Sequence, residues 1–206
     1  RARMHTRAQG VLRREGRLGS TFTTKDALSS GVHPRALYGW RDSGRVFELS
    51  RGVFRWSDAP LATFPDLLGV SVRAPHAIAC VVTAAVVHDL SDEMPPAVQI
   101  AVRVGDHQPR VEFPRTQVLR FARETFELGL SRVEAAPGEW VRVYDATRTV
   151  VDLMRLRHRF REPLAHSALR RALESGAARP VDLLRYAEAL NVLGPVRLAL
   201  DIALAR

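Results

Sequence analysis

Polar side chains that could bind a ligand are concentrated between positions 24 and 51, and most of them are basic. Arginine and lysine donate hydrogen bonds to phosphate oxygens and to guanine edges, and other polar side chains add contacts to the backbone. A solvated helix face is the alternative interpretation, but the pattern favours a surface that binds nucleic acid. The candidate DNA-binding residues are Thr24, Lys25, His33, Arg35, Tyr38, Arg41, Arg45 and Arg51.

The order of the predicted helices and strands that carry these residues is that of a winged helix-turn-helix. We expect an amphipathic helix over residues 4–15, a short extended stretch at Phe22, and a second helix with Thr23 or Thr24 as its N-cap. A third helix begins at His33-Pro34 and ends before Gly44, because proline suits a first helical turn and glycine suits a helix end. Two extended runs around the turn at residues 50–52 predict a hairpin.

The spacing within the third helix separates a core face from an exposed face. Val32, Leu37 and Trp40 are placed to face the core, so Arg35, Tyr38, Arg41 and Asp42 are expected to face outward, as a recognition helix requires. Arg51 at the hairpin tip is expected to reach a neighbouring phosphate or the minor groove.

The charge distribution supports a polyanionic partner for the first part of the chain. Residues 1–58 hold twelve basic side chains and five acidic ones, a net charge of +7, whereas residues 59–206 hold nineteen arginines and seventeen acids, a net charge of +2. A local excess of basic side chains is typical of nucleic-acid binding. An arginine-rich composition explains the preference for arginine over lysine, but it does not explain this asymmetry.

The remainder, residues 59–206, is predicted to form a second domain, with a boundary near Pro60. A helix is expected from Asp66 to Val72, and a buried helix from Thr83 to Leu90 with Thr83 as its N-cap. A small, mostly antiparallel sheet is predicted from the extended runs 98–104, 117–122, 132–135 and 140–144. A C-terminal helical bundle is predicted from the periodic segments 146–160, 163–175, 180–193 and 195–205. The predicted fold class is therefore α+β, with a winged helix-turn-helix domain at 1–58 and an α+β domain at 59–206.

Several kinds of chemistry are excluded or disfavoured by the composition. Cys80 is the single cysteine, so an internal disulfide and a zinc site built on cysteine pairs are excluded. The seven histidines show no helical metal-pair spacing, and we predict no metal and no cofactor. Phosphate-loop and kinase motifs are not found, and the sole lysine, Lys25, falls in the predicted DNA-binding domain rather than beside a nuclease carboxylate pair. The single cysteine fits a reducing compartment, which predicts a cytoplasmic location. The longest apolar run is too short to span a bilayer, which predicts no membrane partner.

Five segments of the chain resemble the AbiEi-type antitoxins and transcriptional regulators of type IV toxin–antitoxin systems. The N-terminal ones are FTTKDALSSGV (22–32), RALYGWRDSG (35–44) and LSRGVFR (49–55). TAAVVHDL (83–90) and VYDATRTVVDL (143–153) extend the resemblance into the second part. Single segments are weak signals, and the ordered set is more specific.

This resemblance implies an antitoxin that neutralises a nucleotidyltransferase toxin and represses its own operon by binding operator DNA. The C-terminal part would carry the antitoxin activity, with Asp145, Arg148, Thr149 and Asp152 as its candidate residues. For these four the sequence also gives a structural interpretation, which it favours: Asp145 as a helix N-cap and Arg148 with Asp152 as an i,i+4 pair.

Two alternatives remain open. In one, the chain is an atypical serine kinase that uses ATP to phosphorylate and inactivate the partner toxin. In the other, it is a transcription regulator that acts without a toxin.

Overall fold

The computed structural model describes residues 16–205. We call residues 16–58 the first module and residues 59–205 the second module. The helix expected over residues 4–15 lies outside the described residues. The elements of the first module are β1 (Thr21–Thr23), α1 (Thr24–Ser29), α2 (Pro34–Asp42), β2 (Val46–Ser50) and β3 (Val53–Trp56). Their order agrees with the predicted winged helix from its second element onward.

Local capping explains where both helices of the first module begin. Thr23, one of the two predicted N-caps, accepts a hydrogen bond at its Oγ1 from the backbone N–H of Asp26 (3.1 Å), and the Asp26 carboxylate accepts one from the N–H of Thr23 (2.8 Å). This reciprocal pair is a capping box, which satisfies two orphan donors at the helix start. Helix α2 begins after His33, whose Nδ1 accepts from the N–H of Arg35 (3.2 Å), with Pro34 in the first turn.

A small aromatic core holds the first module together. Strands β1, β3 and β2 form a three-stranded antiparallel sheet in that order. Leu37 and Trp40 are buried against Phe22 and Phe54 of this sheet, and Val32 is buried with them. The predicted core face of α2 is therefore confirmed. The hairpin turns at Gly52, where φ is +74°, a conformation that favours glycine.

The second module is an α+β structure, as predicted. It begins with α3 (Pro65–Arg73), β4 (Ile78–Ala79) and α4 (Val81–Val87), and continues with β5 (Val98–Arg103), β6 (Thr116–Phe121), β7 (Leu130–Ala136) and β8 (Glu139–Tyr144). The five-stranded sheet has the order β6-β5-β4-β8-β7. Two pairings are antiparallel and two are parallel, so the sheet is mixed where the sequence predicted a mostly antiparallel one. One parallel pairing joins the short strand β4 to β8, because β4 lies between β5 and β8 although it precedes both in the chain, and the other joins the consecutive strands β5 and β6.

The C-terminal helices pack on one another and on α4. They are α5 (Ala146–Arg155), α6 (Arg157–Phe160), α7 (Glu162–Glu174), α8 (Pro180–Ala189) and α9 (Leu193–Leu204). The predicted helix at 146–160 is thus divided in two at Leu156. No helix within residues 16–205 is long and apolar enough to cross a membrane.

The predicted N-cap of α4 is wrong, and the reason is a tertiary contact. The helix begins at Val81, two residues before Thr83, and its preceding residue Cys80 makes no side-chain cap. The side chain of Gln99 on β5 takes that role, because its Oε1 accepts hydrogen bonds from the N–H groups of Val82 (2.9 Å) and Thr83 (3.3 Å). The Thr83 hydroxyl accepts from the N–H of Gln99 in return (2.9 Å).

The two modules share a packed interface rather than a linker alone. Leu49 and Val53 of the hairpin belong to one core cluster with Leu67 and Leu68 of α3. Helix α3 approaches β2 most closely at Gly69, where an added Cβ would lie 2.8 Å from the carbonyl oxygen of Leu49. A residue larger than glycine would therefore push the modules apart. The boundary near residue 58 stays a prediction.

Substituting Gly69 by alanine tests this interface. We expect Gly69→Ala to lower the free energy of unfolding by about 1–3 kcal/mol, because the added methyl group meets backbone rather than a movable side-chain end. Gly39→Ala is the matched control, since Gly39 also lies inside a nine-residue helix but has nothing within 4 Å of its added Cβ. The control should gain about 0.5–1 kcal/mol from helix propensity. Urea unfolding followed by circular dichroism measures both, and equal effects would contradict the close approach.

Candidate nucleic-acid interface

Helix α2 presents a polar face to solvent. Arg35, Tyr38 and Arg41, which we call the α2 face, are all exposed, whereas Leu37 and Trp40 on the opposite side are buried. The predicted division of this helix is therefore found in the structure. The packing that buries Leu37 and Trp40 fixes the direction in which the three exposed side chains project.

Contacts within the α2 face are few and weak. The guanidinium of Arg41 lies 5.0 Å from the centroid of the Tyr38 ring and is 3.1 Å from the carboxylate of Asp42. Both partners of that ion pair are exposed, so the pair contributes little to stability and is easily exchanged for another anion. The Arg35 side chain makes no hydrogen bond or ion pair within residues 16–205, and its backbone N–H donates to His33 Nδ1. The side chains of this face are available to a ligand.

The two candidate residues beside α2 have partly structural roles. The Nδ1 atom of His33 is used as an acceptor for the helix cap, which leaves Nε2 as the donor of the neutral ring. The guanidinium of Arg45 lies 5.6 Å from the Trp40 ring and 5.9 Å from the Trp56 ring, so it covers the edge of the aromatic core. Both residues remain exposed.

The start of α1 lies beside the hairpin. The backbone N–H of Thr24 donates to the carbonyl of Gly52 (2.9 Å), and the Thr24 side chain is half-buried there. Lys25, the next residue, is exposed. The structure therefore brings Lys25 and the hairpin tip, residues 50–52, to neighbouring positions, and Thr24 serves mainly to join them.

The hairpin tip is held by the second module, which the sequence did not indicate. Arg51 is exposed but forms an ion pair with Glu112 (2.8 Å), in the loop between β5 and β6, and this contact raises the pKa of the Arg51 guanidinium. The hydroxyl of the buried Ser50 donates to the carbonyl of Phe113. Arg51 is therefore not a free cation in this structure, and a phosphate would have to displace Glu112.

Arg55 was not among the candidate residues, yet it is the buried cation of the first module. Its side chain is 1% exposed and donates to the hydroxyl of Thr21 (2.7 Å), to the carboxylate of Glu139 on β8, and to the carbonyl of Pro60. A buried arginine needs such partners because an unpaired charge in the core is costly. Only the buried position on β3, and no motif, marks Arg55 as different from the other arginines.

The second set of candidate residues, Asp145, Arg148, Thr149 and Asp152, forms what we call the Arg148 cluster. The predicted structural roles are confirmed: Asp145 caps α5 by accepting from the N–H of Arg148 (2.7 Å), and Arg148 pairs with Asp152 at 2.9 Å. Arg148, Thr149 and Asp152 are fully buried. The hydroxyl of Thr149 donates to the carbonyl of Asp145 (2.7 Å), and Asp152 also pairs with Arg155 (2.8 Å), so these polar groups are used in contacts within the protein. Its role in neutralising a toxin stays a prediction.

Arg148 organises the core around it. Its guanidinium donates to the carbonyls of Thr125 and Leu128 (2.7 Å each) and lies 4.3 Å from the centre of the Tyr144 ring. Gly129 permits this approach, because φ is +75° there and an added Cβ would lie 2.6 Å from the Cβ of Arg148. The loop before β7 is thus tied to α5 by one side chain.

Cys80, the single thiol, lies in the same core. Complete burial raises the pKa of the Cys80 thiol well above its ordinary value. A thiol held neutral in this way is a poor nucleophile. Within residues 16–205 no group of three metal-ligating side chains could hold a metal ion.

The buried pair gives a prediction that separates a structural role from a surface role. Asp152→Ala should lower the free energy of unfolding by about 3–5 kcal/mol, because it leaves the buried guanidinium of Arg148 without its carboxylate. Asp201→Ala removes an exposed carboxylate from α9 and should change that free energy by less than about 0.5 kcal/mol. Chemical denaturation of both variants provides the comparison. A stable Asp152→Ala variant would show that the pair is dispensable for folding.

Comparison with solved structures shows the same fold in another protein. The crystal structure of the RV2827C protein from Mycobacterium tuberculosis matches with a TM-score of 0.56 and 13% sequence identity, covering 91% of this chain and 76% of that chain. At this identity the likeness concerns the fold alone. No curated protein matches the chain in sequence.

The sequence of the first module does match a described family. The matched residues, 9–55, include both helices and the hairpin that carry the α2 face and the tip. The resemblance predicted from the sequence is therefore confirmed over residues 9–55, which match the family described as transcriptional regulator, AbiEi antitoxin.

Proposed function

We propose that this chain is a DNA-binding transcriptional regulator of the AbiEi antitoxin type, which contacts DNA through the α2 face. The observation that carries the proposal is the exposure of Arg35, Tyr38 and Arg41 on a helix whose other side is fixed in a core. The family match over residues 9–55 and the charge of +7 in residues 1–58 support the same reading.

The dimensions of α2 suit the major groove. An α-helix with its side chains is about 10–12 Å in diameter, which fits a groove about 12 Å wide, and the nine residues of α2 supply a little over two turns to lie in it. Arg35 and Arg41 have the guanidinium geometry that pairs with the two acceptors of guanine. In this arrangement the first module acts as a winged helix-turn-helix, with α2 as its recognition helix.

Phosphate contacts would come from the residues around α2. Lys25 at the start of α1, His33 before α2 and Arg45 after it flank the α2 face along the chain, and such contacts fix the register of a protein on the duplex without reading the sequence. Arg51 would join them after release from Glu112. The +2 of residues 59–206 makes the second module a smaller contributor to this term.

The family match also supports a toxin as a functional partner, and we propose a nucleotidyltransferase toxin and repression of the chain's own operon. The operator part is tested with DNA from upstream of the chain's own gene. The antitoxin part is tested by co-expression with the product of the neighbouring gene in a growth assay. Growth inhibition that this chain does not relieve would contradict it.

Alanine substitutions in the α2 face test the DNA-binding part. Arg35→Ala and Arg41→Ala should each weaken binding to the upstream DNA about tenfold or more, since a lost base contact is worth ~1–3 kcal/mol. Electrophoretic mobility shifts measure the affinity at fixed salt. Arg197→Ala, which removes an exposed arginine from α9, is the control and should bind as the parent does. Binding that is indifferent to sequence and to the α2 face would refute the proposal.

The Arg51–Glu112 pair leads to a separate expectation. Glu112→Gln should tighten DNA binding severalfold at low ionic strength, because it frees Arg51 and removes a negative charge beside the phosphates, and salt should reduce the gain. Glu188→Gln is the matched control, since it removes one exposed carboxylate from α8. A salt titration of both variants distinguishes local release of Arg51 from a general change of charge. Equal gains in the two variants would mean that the tip does not approach DNA.

A further inference from the structure

A cavity of about 440 Å³ lies in the second module, away from the α2 face. It is formed where α3 ends, where the chain enters β4, and where β5 leads into the following loop. Pro75, Val102 and Phe126 form part of an apolar wall. The ionisable side chains that line it are Arg73, His76, Arg103, Asp106, His107 and Arg142. We call it the basic cavity.

The charge of the basic cavity stays positive when its ion pairs are counted, because the four arginines at positions 73, 103, 123 and 142 outnumber the two carboxylates of Asp106 and Glu127. Its one acidic residue, Asp106, is already paired with Arg123 at 3.3 Å. The Arg73 side chain is exposed and makes no hydrogen bond or ion pair with the described residues 16–205. Its guanidinium is therefore uncompensated at the wall of a concave site, where a counter-charge is favourable.

The other two arginines are held close enough to share one anionic oxygen. Both Arg103 and Arg142 approach the same carboxylate oxygen, Oε1 of Glu127, at 2.7 and 3.8 Å. The Glu127 side chain is 60% exposed, so it can leave this position without unburying the core. Its carboxylate shows where a phosphate oxygen would find two guanidinium groups.

The shape of the basic cavity is fixed in advance by other contacts. Arg142 donates to the carbonyl of His76 (2.8 Å), and Arg103 lies 5.1 Å from the centre of the Phe126 ring. Arg123 donates to the carbonyl of Val104 (2.9 Å), which holds the loop after β5. Donors that are positioned before a ligand arrives reduce the entropy lost on binding.

We propose that the basic cavity binds a small phosphorylated ligand that carries a ring system, the chemical class of a nucleoside phosphate. Arg73, Arg103 and Arg142 contact the phosphate groups, and the accessible apolar side chains of the wall, Pro75 and Pro109, contact the ring. The volume lies within the usual range of ligand sites, about 300–1,000 Å³. This site goes beyond the proposed DNA-binding function and uses none of its residues.

Isothermal titration calorimetry of the full chain with ATP, adenosine and tripolyphosphate tests the proposal. ATP should bind saturably with one site per chain. Adenosine and tripolyphosphate should each bind at least about tenfold more weakly, since adenosine lacks the phosphate groups and tripolyphosphate lacks the ring. Hydrogen exchange should show ATP-dependent protection of backbone amides near residues 102–109. Absence of saturable ATP binding, or protection elsewhere, would overturn the proposal.

Substitution of Arg73 provides the matched comparison. Arg73→Glu should weaken ATP binding about tenfold or more with only a small loss of thermal stability, because the Arg73 side chain has no hydrogen bond or ion pair in residues 16–205 to lose and gives up only its favourable charge in the last turn of α3. Arg197→Glu reverses the same charge on the exposed side of α9 and should leave the affinity for ATP unchanged. Equal weakening by both variants, or tripolyphosphate that binds as tightly as ATP, would reduce the site to a general polyanion surface and refute the proposal. Arg73→Glu should bind DNA as the parent does in a mobility-shift assay. A loss of DNA binding together with ATP binding would show that the basic cavity is not separate from the DNA-binding surface, and would refute the proposal.

Discussion

The contacts of the buried Arg55 side chain hold the two modules in their arrangement. Arg55 is a strand residue of the first module, and its partners are Thr21 in that module, Glu139 in the second, and the carbonyl of Pro60 between them. Removing one partner of a buried ion pair typically costs about 3–5 kcal/mol. The charge therefore couples the folding of the hairpin to the sheet of the second module.

This coupling has a consequence for the surface proposed to contact DNA. Helix α2 packs on the same small sheet that Arg55 anchors, and α3 supports the back of the hairpin through Gly69. The α2 face is thus oriented by packing, and the tip is oriented by Glu112 and Phe113. A helix and a hairpin held in this way would lose little conformational entropy on the proposed binding to DNA.

The arginines of this chain have three different roles, which the amino-acid type alone does not distinguish. Arg55 and Arg148 are buried and hold distant segments together. Arg35 and Arg41 are exposed on a helix, and Arg73, Arg103 and Arg142 surround a cavity. The desolvation cost of each guanidinium separates these roles, because a buried one needs most of its donors paired inside the protein, as those of Arg55 are and as those of Arg148 are apart from Nη2. The segment around Arg148, which resembled a functional motif, accordingly forms part of the core.

Features that depend on neighbours along the chain could be predicted before the structure was known. Helical periodicity placed Leu37 and Trp40 in the core and Arg35 outside, and Asp145 was identifiable as a cap from its position before α5. Contacts between distant residues became visible in the folded chain alone: the cap of α4 supplied by Gln99, the mixed pairing around β4, the contact of Arg51 with Glu112 across 61 positions, and that of Arg55 with Glu139 across 84. Capping and periodicity act over a few residues, whereas an ion pair or a strand pairing is specified by a topology that local propensities do not encode.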